Sequence, residues 1–296
     1  MIHYTYCPVC DHTEFKVSLK AKDHTVSGEE FSILQCQNCN FLFTQDVPDQ
    51  QEIGRYYESE NYVSHTDTKK NLFFRLYAQV RNITLQQKLQ LINRLSAPTK
   101  EIMDVGSGTG YFPAYMQKAG WMIKALEPSS TAREVCLRQH NIQAQDPQAI
   151  YAMSPESVSV ITLWHVMEHV HDLNGYFSRF FSILKPGGFL VIAVPNPESY
   201  DAKSFGAEWA AWDVPRHLYH FTPATIKRLA EKHGFSLIRT SPMWFDALYV
   251  SMLSKEIQNR SKWSGLLNGL ASNLHALTNK GQTSSLIYII QKPKAK

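Results

Sequence analysis

Residues 101–112 read EIMDVGSGTGYF, with glycines at three alternate positions directly after an apolar run. Glycine inside a strand or helix costs roughly 0.5–1 kcal/mol relative to alanine. The cluster therefore marks a place where side chains cannot be allowed. A strand that passes through a glycine turn into a helix points backbone N–H groups outward and lets a ligand lie against the chain. The spacing excludes two ligand classes. Gly106, Gly108 and Gly110 follow G-x-G-x-G, with the third glycine one residue early for the dinucleotide fingerprint. No Lys-Ser/Thr follows them, as a P-loop requires. A ligand without a pyrophosphate is expected.

Two acids refine the ligand. Asp104 ends the strand, two positions before Gly106, and a carboxylate there suits a cation better than a phosphate. Glu127 ends the next strand, 17 residues after Gly110, where a carboxylate can accept two ribose hydroxyls. An adenosine carrying a positively charged, amino-bearing tail satisfies both acids, and that describes S-adenosylmethionine.

The rest of the chain after Pro98 alternates strands and helices. The expected strands are IMDV, WMIKALE, a weak IQAQ, VSVITLW, FLVIAVPN, FSLIRT and SLIYIIQK. Between them, Pro113 and Gly120 bracket one helix, Ser130 and Asn141 a second, and Asp172 and Pro186 a third. Thr222-Pro223 opens a fourth, which Gly234 closes. Such alternation implies a mostly parallel sheet covered on both faces.

DVGSGTG, LEPS, ITLWHVMEHVHD and LKPGGFLVIAVPNPES, in that order within residues 98–245, resemble a class I S-adenosylmethionine-dependent methyltransferase. The branch is the one that includes ubiquinone-type small-molecule O-methyltransferases. The resemblance implies an α/β, Rossmann-like, seven-stranded and mostly parallel sheet. It implies that Asp104 with Gly106, Ser107, Gly108, Thr109 and Gly110 holds the methionine part. Glu127, with Pro128 beside it, would bind the ribose, and Asp146 would reach the adenine amine. Trp164 and His165 would line the cofactor.

Methyl transfer from a sulfonium needs no covalent help from the protein. It needs an acceptor held in line, water excluded and, for some acceptors, a base, which histidine suits near neutral pH. The segment WAAWDVPRHLYHFTP, residues 209–223, follows the fifth expected strand and should overhang the carboxyl edge of the sheet. It offers His217 as the base candidate, with His220 and Arg216 as further acceptor contacts. His165 and His169 are alternatives whose other reading is ligand lining and helix capping. In GRYYESENYVSH, residues 54–65, the resemblance suggests a lid over the cofactor made by Tyr57, Tyr62 and His65, against a plain connector.

Cys7, Cys10, Cys36 and Cys39 form two C-x-x-C pairs separated by 25 residues. Four thiolates at that spacing suit a structural, tetrahedral zinc in a ribbon. Sugar C-methyltransferases resemble this arrangement. Cys136, in a helix, reads as a small buried residue. The expected organisation is a zinc ribbon over 1–45, a helical linker or lid over 46–97, and an S-adenosylmethionine-binding domain over 98–296. The last contains a helical insertion at 246–280, in which Trp263, Leu266, Leu267, Leu270, Leu274 and Leu277 share one face. That face suits packing on the domain or a homodimer partner, with a membrane surface as the sharper reading.

The net charge of +4 is uneven: residues 250–296 carry seven Lys/Arg and one Glu, or +6, which leaves −2 for the rest. That is not a nucleic-acid footprint. No apolar stretch approaches ~20 residues, and the first residues carry no secretory pattern, so a cytoplasmic protein without a membrane span is expected. The expected activity is methyl transfer to a small-molecule or carrier-bound acceptor. Its alternatives are a zinc-ribbon RNA methyltransferase and an inactive binding protein of the same fold.

Overall fold

Short alternating strands around two cysteine turns open the chain: β1 (Phe15–Lys22), β2 (Glu30–Cys36) and β3 (Leu42–Thr44). After a helix α1 (Leu72–Asn93) come β4 (Glu101–Val105), α2 (Tyr111–Lys118), β5 (Met122–Leu126), α3 (Ser130–His140) and β6 (Val158–Trp164). Then follow α4 (Leu173–Ile183), β7 (Leu184–Pro195), α5 (Tyr200–Phe205), β8 (Tyr219–His220), α6 (Pro223–Lys232) and β9 (Ser236–Pro242). The chain closes with α7 (Asp246–Ile257), α8 (Lys262–Thr278) and β10 (Ser285–Gln291). These elements come from a computed structural model that describes residues 1–58, 72–279 and 281–295, without the side chains of 72–78. Tyr62 and His65 lie outside the described residues.

The strands form one sheet in the order β1-β2-β3-β8 and a mixed sheet in the order β5-β4-β6-β7-β10-β9. The second sheet has six strands, not the seven expected. The weak IQAQ segment makes only a single parallel bridge, Leu126 with Gln145. The segment buries Ile142 and Ala144, but it meets the end of β5 only at Gln145, whose N–H donates to the Ala125 carbonyl and whose carbonyl accepts from Glu127 N–H. The Rossmann-like layout otherwise stands.

The chain divides into two compact units. One comprises Ser64–Leu163, Ser178–Val191 and Gln291–Lys296. In it β4 pairs in parallel with β5 on one side and β6 on the other. Cys136 of α3 is fully buried among Ala114, Ala125, Ile142 and Ala144. A Cβ on Gly110 would fall 2.4 Å from the Cys136 sulfur, and the residue has φ +88°. The third glycine is therefore demanded by packing as well as by backbone conformation.

The other unit comprises Met1–Val63, Trp164–Phe177 and Ile192–Ile290. Leu42 and Phe43 of β3 pair antiparallel with His220 and Tyr219 of β8, so the cysteine module recruits a strand from the 209–223 segment. Phe31, Ile33, Tyr56, Trp209 and Trp212 share one buried cluster. The insertion is a helical hairpin. The buried residues of α8 are Gly265, Gly269, Ser272 and Ala276, and Cβ atoms on the two glycines would come within 2.6 Å of the α7 backbone. The leucine face points the other way, with Trp263 79% and Leu267 69% exposed. Small residues, not leucines, let the two helices approach. No helix among the described residues is long and apolar enough to cross a membrane.

Candidate functional site

In the unit that holds β4–β6, the glycine turn and the two acids form one cradle. Gly106 and Ser107 donate their backbone N–H groups to the Leu126 carbonyl, which ties the turn to the end of β5. Gly108 donates to Glu127 Oε2 at 2.8 Å, and Ser129 N–H donates to Oε1 at 2.9 Å. Each Glu127 oxygen thus has one backbone donor and keeps a lone pair for a hydroxyl. A Cβ on Gly108 would meet nothing within 4 Å. This glycine faces open space, unlike Gly110, and space beside bare backbone is what a ligand would fill.

Asp104 is 2% exposed and receives the Thr162 hydroxyl at 2.6 Å, from the residue opposite it in the β4–β6 register. Burial pushes its carboxyl up to about 7, the neighbouring Glu127 charge adds to this, and Thr162 and Lys88 oppose it. An acid held this way gains most from a cation. Thr109 and Pro128 are exposed beside the turn. Arg133 donates to the Glu127 and Pro128 carbonyls at 2.7 and 2.8 Å. Asp146 is exposed and caps a short 3-10 turn, accepting from Gln148 N–H, with Arg133 3.6 Å away. Thr162 lies inside the ITLWHVMEHVHD motif without having been given a role, and Arg133 lies outside the motifs. Strand register could have pointed to Thr162, and nothing local points to Arg133.

The histidine-bearing segments belong to the other unit. Trp164 ends β6, and His165 follows at φ +57°. Burial alone would lower the His165 pKa, but Asp246, 2.9 Å from Nε2, and Glu168 raise it to about 10. His165 is thus a charged, paired imidazole. His220 is 3% exposed, its Nε2 lies 3.1 Å from the Thr44 hydroxyl, and its ring packs edge-on against Trp212. Thr44 already donates to the His217 carbonyl, so His220 is the donor of this pair. Burial drives the His220 pKa well below the ordinary histidine value. His217 donates from Nδ1 to the Ala211 carbonyl at 2.9 Å, which leaves a lone pair on Nε2. Tyr57 places its hydroxyl 3.1 Å from His169 Nδ1.

Arg216, expected at the acceptor, is instead committed to the interior. Its guanidinium is 1% exposed and donates to Asp213 at 2.7 Å, Asp23 at 2.9 Å and the Tyr56 carbonyl at 2.8 Å. Burial would raise the Asp23 carboxyl, but Arg216 and the N–H groups of Ser27 and Thr25 hold it at about 2. Removing one partner of a buried pair leaves a bare charge, which costs ~3–5 kcal/mol. Arg216→Met should lower the urea midpoint by that equivalent at unchanged slope. An unmoved midpoint would show that the clamp carries no stability.

The four cysteines converge in this unit, their ligand atoms all within 4.8 Å of one another. Cys7 and Cys39 sulfurs are 3.5 Å apart, as are those of Cys10 and Cys36, and none is in a disulfide. Four thiolates around a tetrahedral zinc at 2.3 Å stand about 3.8 Å apart, so the donor set fits that ion. The two turns are built alike. Asp11 at φ +60° donates to the Cys7 carbonyl, and Asn40 at φ +60° donates to the Cys36 carbonyl.

Comparison with known proteins agrees with this geometry. The profile of a family described as a methyltransferase domain matches residues 77–240, more than half of the chain. Ubiquinone biosynthesis O-methyltransferase of Cupriavidus pinatubonensis is 25% identical over 162 residues, covering 50% of this chain and 65% of that protein. The protein of the same name from Albidiferax ferrireducens is 27% identical over 177 residues, covering 54% and 70%. The chain thus matches only part of each relative's length. Among solved structures, a SAM-dependent methyltransferase from Archaeoglobus fulgidus aligns with TM-score 0.51 and 17% identity, over 75% of this chain and all of that one. Haemonchus contortus phosphoethanolamine N-methyltransferase 2 in complex with S-adenosyl-L-methionine aligns with TM-score 0.54 and 16% identity, over 95% and 69%.

Proposed function

The chain belongs to the methyltransferase-domain family, and from that premise we propose that it methylates a small-molecule or carrier-bound acceptor. When bound, S-adenosylmethionine supplies a methyl group already activated by its sulfonium. The chain's own residues bind and orient. Asp104, buried and short of a full-strength cationic partner, takes the amino-bearing end. The bare backbone from Gly106 to Gly110 admits the tail, and Glu127, pinned by two backbone donors, accepts the ribose hydroxyls. Asp146 serves the adenine amine only if it leaves its cap. The observation that carries the reading is the open side of Gly108 between two buried carboxylates.

On the acceptor side, His217 is the base candidate: its Nδ1–H bond to the Ala211 carbonyl leaves Nε2 able to take a proton, as the matching bond to the Arg216 carbonyl does for His169. The names of the curated relatives support an oxygen of a small molecule as the first acceptor class to test. A structural zinc in the four-cysteine module accompanies this reading.

The test is transfer of a labelled methyl group from S-adenosylmethionine into a metabolite extract, with and without ribonuclease. Label should appear in a small product and survive the nuclease. Label confined to RNA, or none at all, would overturn the reading.

A further inference from the structure

Glu168 is 1% exposed, and among the described residues neither of its carboxylate oxygens has a hydrogen-bond partner. An ionised carboxylate without donors is among the costliest groups to bury. The nearest charged neighbour is His165, whose Nδ1 stands 3.5 Å from Oε1, too poorly placed to donate. The other neighbours are two imidazoles. Ligand-capable atoms of Glu168, His169 and His217 all lie within 4.8 Å of one another, and the two rings meet edge-to-face with centroids 4.6 Å apart.

The hydrogen bonds of those rings decide what they offer. His169 Nδ1 lies 2.9 Å from the Arg216 carbonyl, and His217 Nδ1 lies 2.9 Å from the Ala211 carbonyl. A carbonyl only accepts, so both rings carry hydrogen on Nδ1 and a lone pair on Nε2. Outer N–H to carbonyl bonds of this kind fix the tautomer of metal-ligating histidines. The backbone locks the group together: Leu218 N–H donates to the Glu168 carbonyl at 2.8 Å, joining the short turn that carries Glu168 and His169 to the residue after His217. Asp213 Oδ2, 3.8 Å from His217 Nε2, adds negative potential.

We propose that Glu168, His169 and His217 form a metal site, distinct from the four cysteines, for a divalent first-row transition ion. Two imidazoles and one carboxylate suit zinc or iron(II). Three protein ligands leave at least one position open for water or an oxygen of a substrate. The ion would supply the direct contact that the Glu168 oxygens lack. Ligation and proton acceptance draw on the same His217 lone pair, so an ion here would displace the base role given to His217 above. The methyl-transfer reading does not depend on it.

The test is a cobalt(II) titration of the chelator-stripped, full-length protein under reducing conditions. Two equivalents per chain are expected. One should show the intense charge-transfer absorption of thiolates, and the other only the weak d–d bands of nitrogen and oxygen ligands. Glu168→Gln, similar in shape and one charge less, should lose the second equivalent and keep the first; His217→Gln should do the same. A wild-type chain that takes up one equivalent with a thiolate spectrum overturns the site, whether or not the variants fold. So does a folded Glu168→Gln chain that keeps both.

Discussion

Asp104→Asn should weaken S-adenosylmethionine binding at pH 8 by at least ~30-fold, because truncating one partner of a buried charge pair costs about 2–5 kcal/mol. Methyl transfer should fall at least as far. Loss of fold cannot mimic this result, since the same change should stabilise the protein without ligand. The ordinary Asp104 carboxyl titrates near 3.8, and burial pushes it to about 7 in the fold. Between those values the folded chain holds a proton that the unfolded chain has released. The Asp104 contribution to the stability of the ligand-free chain then falls as pH rises from about 4 to 7, by roughly 4 kcal/mol at ~1.4 kcal/mol per pH unit. Asparagine removes that penalty. The melting temperature of the free variant at pH 8 should therefore rise while its affinity collapses.

The sign reverses for binding. A cation needs the ionised carboxylate, so the wild-type dissociation constant should grow about tenfold for each pH unit below 7. The growth stops only below the pKa of the carboxyl in the complex, where the bound state takes up the same proton. Asparagine should flatten this dependence. Calorimetric titration at pH 6, 7 and 8, in buffers of different ionisation enthalpy, reads both the affinity and the proton released. A flat wild-type profile, or an Asp104→Asn variant with unchanged affinity, would detach this carboxylate from the ligand.

Asp104 also shows how much of the site is written locally. Its position before the glycines, the place of Glu127 and the roles of Thr222 and Asp172 as helix caps all follow from residues within a few positions of each other. The reason for the charge state of Asp104 does not: burial in the assembled sheet raises its carboxyl, and Thr162, which opposes that shift, reaches it from 58 positions away. Arg216 is the sharper case. In the sequence it is a cation in an aromatic, histidine-rich loop, which reads as a substrate contact. In the fold, Asp23, 193 positions away, has claimed it. Residues 219–220 look like loop, and only the exposed edge of β3 makes them a strand. The weak third strand fails for the converse reason: its local pattern is plausible and Ile142 and Ala144 are buried, yet its pairing with β5 is a single bridge at Gln145. Glu168 lay inside a recognised motif, yet its lack of donors is a fact about three dimensions.

Stripping metal from the four-cysteine module should unfold β1–β3 and leave β8 without its partner. Aromatic rings give this module part of its core. Phe41 and Phe43 are fully buried, and Phe15 and Tyr4 pack edge-on against Phe43. The strands themselves are short: β3 has three residues and β8 two. Cys7 and Cys36 are fully buried, and burial pushes the Cys7 thiol up strongly, so a metal-free module must keep Cys7 protonated inside. Zinc binding would supply ~10–16 kcal/mol at pH 7, available only to the folded arrangement, which is as large as the whole stability of an ordinary domain. Hydrogen exchange before and after chelation is the measurement. Amides of 15–22, 30–36, 42–44 and 219–220 should lose protection together after chelation, and Cys36→Ser should behave as the chelated protein does. Acid should act in the same direction, since protons compete for the thiolates. If those amides stay protected after the metal is gone, the aromatic packing suffices by itself. The cysteines would then hold no structural ion.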